Sequence, residues 1–392
     1  MENLFVEEKP TSITIELKGQ IDSSNAADVE TQIKNAIQGK KKRIIFDAQD
    51  LNYISSAGLR VLLRVKKSFP DFSIINVNSE IYEILDMTGF AQLMDVKKAY
   101  RIVSIDGCEV IGQGANGTVY RLDNDNVIKV YKDADALDDI QNERELARLA
   151  LVLGIPTAIS YDVVRVNDTY GSVFELLNAT SFSKILANEP ERIDWVVQEY
   201  VQLLQKIHST VVPEGKLPEI KQIYIDYVHF LEDYLDKESF TKLLTMVENI
   251  PDDRHMIHGD YHTKNVELTD NEVLLIDMDT LATGHPIFEL ASMFNAYIGF
   301  SEYDKTTIEH FQGFSFELSK EFWDKTLRAY LGVEDETYIK DVENKARILG
   351  YTRLIRRSIR RDGLNNAKSK AEIDLWTKEL LELLSQYQSL SF

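Results

Sequence analysis

His258-Gly-Asp260-Tyr-His-Thr-Lys-Asn265, followed closely by Val273-Leu-Leu-Ile-Asp277-Met-Asp279, is the most informative stretch of this chain. Apolar residues on both sides predict that Asp260 and Asp277 sit in turns at the ends of short strands. Asp260 is a candidate to accept the proton of an attacking hydroxyl. Asn265 and Asp277 offer hard oxygen ligands for a magnesium ion bridging phosphates. Each of these residues could equally be a turn residue with a locally satisfied side chain.

Upstream, residues 111–120 read Ile-Gly112-Gln-Gly114-Ala-Asn-Gly117-Thr-Val119-Tyr. A lone G-x-G-x-x-G is weak, and in a dinucleotide site its third glycine would open a helix. Here the polar turn Asp123 to Asn126 and the apolar run Val127-Ile-Lys129-Val-Tyr131 follow instead, predicting strand, turn, strand. That is the layout of a glycine-rich flap over nucleotide phosphates. Lys129 inside an apolar strand is costly unless paired. The next predicted helix carries Glu143 and Glu145, of which one can face the sheet; distance to Gly154-Ile-Pro156 favours Glu143, with Glu145 second. The bland alternative is a snorkelling lysine beside a solvated helix.

Flap, strand lysine, helix glutamate, H-x-D with Asn, and apolar-Asp occur in the chain order of the eukaryotic-like kinase superfamily, which residues of roughly 104–375 resemble. The details are similar to the aminoglycoside phosphotransferase branch. His262 stands where Ser/Thr protein kinases carry lysine, and Gly284-His-Pro286-Ile-Phe-Glu follows Asp277 too soon for an activation segment. The resemblance implies ATP and Mg2+ as cofactors. It implies nucleotide contacts from Gly112, Gly114, Gly117, Val119 and Lys129, with Lys129, Glu143 and Asp260 as catalytic residues and Asn265 and Asp277 on the metal. It further implies a hinge at Val173 to Leu177, with Glu175 and Leu177 facing the base. Trp195 to His208 and Ile220 to Leu244 have helical periodicity, as in the branch's substrate-cradling subdomain. Glu289 replaces the branch's more usual aspartate.

Residues 1–103 alternate differently. Ser12 to Leu17, Arg43 to Phe46 and Ile74 to Val77 predict strands, and Ala26 to Ile37, Ser56 to Phe69 and Ile81 to Met87 predict helices, the first capped by Ser24 or Asn25. Asp50-Leu-Asn-Tyr-Ile-Ser55-Ser56-Ala-Gly58-Leu-Arg60 and Ile81 to Phe90 resemble the two recurrent segments of the STAS family of anti-sigma-factor antagonists. In that family a serine at the helix start is phosphorylated by a partner kinase, and the matching position is Ser56. A phosphate there would meet free N–H groups and the helix dipole, but Ser56 is equally an ordinary N-cap. Ser55 replaces the aspartate many members carry before the acceptor.

The expected fold is therefore an α/β N-terminal STAS domain, 1–103, joined to an α+β bilobal kinase-like domain of the aminoglycoside phosphotransferase type, 104–392, with lobes at about 104–178 and 179–392. Residues 1–103 carry 14 basic and 14 acidic side chains, so the whole net charge of −20 falls on the remainder. That charge disfavours nucleic acid and anionic membranes as partners. It would suit a cationic acceptor, or serve solubility alone. The one cysteine, Cys108, and the lack of an apolar run of about 18 residues predict a cytoplasmic protein. Lys345, Arg347, Arg353, Arg356, Arg357, Arg360 and Arg361 crowd one helical stretch, either as a solvated and locally paired face or as an anion or partner site. The expected function is ATP- and magnesium-dependent phosphorylation of a small-molecule hydroxyl, with the STAS module regulating it or recruiting a protein partner. The alternatives are a signalling protein kinase acting on Ser56 or a partner protein, and a nucleotide-binding scaffold without turnover.

Overall fold

The computed structural model describes residues 4–40, 42–114, 117–133, 136–270, 272–361 and 363–392. The chain divides into two units, Met1–Asp106 with Val163–Gly171, and Gly107–Asp162 with Ser172–Phe392.

In the first unit Leu4–Glu8, Ser12–Ile21, Arg43–Ile54, Phe72–Val77 and Asp95–Lys98 form a mixed sheet in sequence order. The first pair is antiparallel and the other three are parallel. Parallel neighbours need crossovers. Helices Ala26–Ile37, Ser56–Ser68 and Ser79–Met87 supply them. Ala26, Val29, Ile33 and Ile37 are all buried, as their spacing requires. The two outer strands have no sequence signature, because almost none of their residues is buried.

Two caps differ from expectation. Asn25 precedes its helix but makes no side-chain cap, since its amide oxygen already accepts from the Asp22 N–H at 2.9 Å. Ser55, not Ser56, caps the next helix, its Oγ accepting from the Ala57 N–H at 3.2 Å. Ser56 is the first helical residue and is exposed.

The second unit opens with an antiparallel meander of Glu109–Gln113, Gly117–Arg121 and Asn126–Tyr131, then the helix Leu137–Val152. A small sheet of Ala179–Ser181, Val266–Thr269 and Val273–Leu275 follows, set among helices. The helical periodicity over Ile220 to Leu244 falls in two helices, Ile220–Phe230 and Lys237–Glu248. Helix Ile287–Tyr297 is buried at every residue, and Glu336–Arg360 packs along it. A helix buried all round belongs in a core, and one continuous core here runs from Leu146 to Leu390. Among the described residues no helix is long and apolar enough to cross a membrane.

Candidate functional site

Lys129 lies in the third strand of the meander with its ammonium turned toward the Leu137–Val152 helix. Its Nζ is 2.9 and 3.1 Å from the Glu143 oxygens and 3.3 Å from Asp277 Oδ1. Glu145 is exposed, so the choice between the two glutamates falls on Glu143. Tyr131 donates to the same carboxylate at 2.7 Å, a contact the sequence did not suggest. Burial alone would depress the Lys129 ammonium; Asp277 and Glu143 outweigh it and hold its pKa above the ordinary lysine value.

The glycine turn closes through a 2.9 Å bond from the Gly114 N–H to the Gly117 carbonyl; Ala115 and Asn116 lie outside the described residues. The three glycines are not equivalent. A Cβ on Gly117 would sit 2.5 Å from the Val130 carbonyl oxygen, which backbone cannot yield. At Gly112 it would meet only Val119 at ordinary contact distance, and Gly112 does not line the cavity beneath. That cavity, of about 750 Å³, is lined by Gly114, Gly117, Val119 and Lys129 on one side and Asp260, Asn265 and Asp277 on the other. Glu175, Leu176 and Leu177 form part of its wall. The Leu176 N–H donates to the Asp125 carbonyl at 2.7 Å.

The loop carrying Asp260 is fixed from several directions. Fully buried Glu289 accepts from the His258 N–H at 2.6 Å and from the Gly259 N–H at 3.1 and 3.2 Å. The Gly259 carbonyl accepts from Ser292 Oγ and Arg353, each at 2.9 Å, and Thr280 Oγ1 donates to the His258 carbonyl at 2.7 Å. Gly259 has φ +83°, and a Cβ would lie 2.6 Å from the Thr280 carbonyl oxygen. The longer carboxylate of Glu289 thus spans two consecutive amides.

Asp260 Oδ2 is 3.5 Å from His262 Nε2, and Oδ1 is 3.9 Å from Arg353. Burial would raise the Asp260 carboxyl; hydrogen bonding to His262 and the charges of His262 and Arg353 outweigh it and hold it well below the usual carboxylate range. Asn265 donates through Nδ2 to the Asp260 carbonyl at 3.0 Å, leaving its amide oxygen for another partner. Asp277 adopts φ +65°, a conformation a non-glycine residue holds only under constraint. Glu267, unnoticed in the sequence, also lines the cavity, and burial pushes its carboxyl up to about 7.

The basic stretch resolves residue by residue. Lys345 bonds Asp341 at 2.8 Å, and Arg347 pairs with Glu302 at 3.0 Å. Arg353 braces the Asp260 loop, Arg356 stacks on Tyr227, and Arg357 lines the cavity.

Residues 107–321 match the model of the phosphotransferase enzyme family, and residues 3–102 that of the STAS domain. Over 84 residues the chain is 30% identical to a Bordetella bronchiseptica protein described as the anti-sigma factor antagonist BtrV, covering 20% of this chain and 72% of that one. It is similar to a thermostable mutant of aminoglycoside phosphotransferase APH(4)-Ia in apo form, at TM-score 0.49 and 11% identity over 72% of this chain and 97% of that one. It is similar also to the gentamicin complex of APH(2")-IIa, at TM-score 0.46 and 17% identity over 78% and 97% of the two chains.

Proposed function

Since the chain belongs to the phosphotransferase enzyme family and carries a STAS domain ahead of it, we propose that it transfers the γ-phosphate of ATP to a hydroxyl of a small molecule. The observation that carries this reading is the Lys129 ammonium shared between Glu143 and Asp277 on the wall of one cavity that also holds Asp260 and Asn265. Phosphoryl transfer through a loose transition state needs chiefly positioning and charge neutralisation. The acceptor oxygen bonds to the γ-phosphorus, the bond to the bridging oxygen breaks, ADP leaves, and the hydroxyl proton goes to Asp260.

With its pKa held low, Asp260 is ionised at neutral pH and accepts a hydrogen bond from the hydroxyl, so that it orients the acceptor before it takes the proton. Lys129 meets the phosphates, steered by Glu143. Gly114 and Gly117 let backbone approach them, and Glu175 and Leu177 offer main-chain groups to the base. Asn265 and Asp277 suit magnesium, which keeps water and phosphate ligands and takes one or two from protein. Among the described residues no cluster of three His, Cys, Asp or Glu competes for a metal. When bound, the ion neutralises charge on the phosphates.

Residues 1–103 are proposed as a module that regulates the enzyme or recruits a protein, in a cytoplasmic setting supported by the single cysteine. The exposure of Ser56 at a helix start keeps it available as a phospho-acceptor, which favours testing protein phosphorylation as a second reading. ADP release with magnesium-ATP and a panel of amines, amino alcohols, sugars and hydroxy acids tests the first. Release is expected to rise with one member and to fall at least about a thousandfold in Asp260→Ala. Release indifferent to every acceptor and to Asp260 would sink it, and radiolabel from ATP appearing on Ser56 would establish the second reading instead.

A further inference from the structure

Charge is distributed unevenly inside the cavity. At the end under the glycine turn the ammonium of Lys129 is matched by Glu143 and Asp277. At the other end the lining changes character. The rings of Phe300 and Phe311, 6.1 Å apart, form an aromatic surface beside Asp260, and the edge of His262 meets Phe311 at 5.1 Å. Two cations rest on that surface, Arg357 at 4.9 Å from the Phe300 centroid and Lys264 at 5.6 Å from that of Phe311. Both line the cavity and both are exposed. Among the described residues neither forms an ion pair.

Partial desolvation against the cavity wall comes first in lowering the Arg357 guanidinium pKa, Arg361 and Arg353 push the same way, and Asp260 opposes. Arg353 is not available as a ligand group, since its guanidinium is engaged by the Gly259 carbonyl and Ser292. Asp260, the carboxylate next to His262 on this surface, is already flanked by His262 and Arg353. A cationic acceptor would have to settle against the like charges of Arg357 and Lys264 beside a carboxylate already so flanked. The net charge of −20 describes the outer surface and is a poor guide to this local field.

Resting on the phosphotransferase reading above, we infer that the acceptor is an anionic hydroxyl compound, its carboxylate or phosphate held by Arg357 and Lys264 while its hydroxyl meets Asp260. Arginine presents a planar fork that takes either oxyanion in two parallel hydrogen bonds, and lysine adds a mobile point charge. The phenyl rings keep both side chains extended over the cavity and carry the ligand's carbon skeleton. Transfer leaves the anionic group untouched: the acceptor oxygen gains the phosphoryl group, the proton passes to Asp260, and ADP departs.

The test uses the full chain with magnesium and four compounds sharing one hydroxylated three-carbon skeleton: glycerate, glycerol phosphate, glycerol and aminopropanediol. Calorimetric titration in the presence of ADP reads binding, and ADP release from ATP reads turnover. One or both anionic compounds are expected to bind about tenfold or more tightly than glycerol, with aminopropanediol weakest. Arg357→Gln and Lys264→Gln are each expected to raise the Kd of the anionic ligand by about that factor and to leave that of glycerol within about twofold. Glycerate and glycerol phosphate separate the carboxylate from the phosphate source. Equal or tighter binding of aminopropanediol overturns the inference, as does anion affinity indifferent to both substitutions. Anion binding lost in the two variants but never accompanied by turnover supports the anion site and counts against the phosphotransferase reading, so the two fail separately.

Discussion

Glu267 shows how much a single residue can owe to its surroundings. It follows Asn265 by two positions on a strand whose other residues are ordinary, and burial raises its carboxyl from 4.5 to about 7, with Lys184 only partly offsetting the effect. A folded-state pKa above the unfolded one means that the folded protein binds the proton more tightly, so this stabilising contribution is whole below about pH 4.5 and lost as pH rises through 7. Glu267→Gln should remove that dependence. Chemical denaturation of the two proteins is expected to give a stability difference that shifts by about 3 kcal/mol in favour of the variant between pH 4.5 and 8. A gap that stays flat with pH would show that the carboxyl titrates normally. Lys129 and Glu143 were legible in the sequence because a buried charge in an apolar strand demands a partner and the next helix held few. Arg353 was not legible as a brace, because its bond to the Gly259 carbonyl joins positions 94 apart and no local pattern records it.

Among the elements, helix Ile287–Tyr297 has the largest consequence for the site. It carries Glu289 and Ser292 on consecutive turns, so one rigid element grips the His258 and Gly259 amides and the Gly259 carbonyl together. Burial would raise the Glu289 carboxyl, but the nearby imidazoles of His208, 3.7 Å away, and His258, with the hydrogen bond from the His258 N–H, prevail and keep it low. Glu289→Ala would leave two buried N–H groups without an acceptor. It is expected to cost about 3 kcal/mol in thermal or chemical unfolding and to slow turnover with little change in nucleotide Kd. Retained stability would mean that water replaces the carboxylate. Helix Ala26–Ile37 and the Gly117 to Tyr131 hairpin were readable because apolar period and polar turn agree there. Leu4–Glu8 and Asp95–Lys98 were not, since a strand that buries nearly nothing has no need of either period. The displaced cap has a similar origin: Ser55 and Ser56 are chemically identical, and only backbone geometry assigns the role.

At the scale of the molecule, each unit has its own hydrophobic core, one drawn from Ile13 to Met94 and the other from Leu146 to Leu390. Separate cores predict separate melting transitions in calorimetry. Magnesium and ADP at about a hundred times their Kd should raise one of them by about 5 °C, equivalent to about 2.7 kcal/mol, and leave the other in place. Equal shifts in both would mean that the cores unfold as one. The left-handed backbone of Asp277 bears on the same thermal balance. Glycine would sit there at less conformational cost, yet it would bring no carboxylate to Lys129. The gain in backbone ease is set there against the loss of a carboxylate from a largely buried ammonium. On the reading proposed above, any glycine that a library sorted by melting temperature alone enriched at this position would mark a silent enzyme.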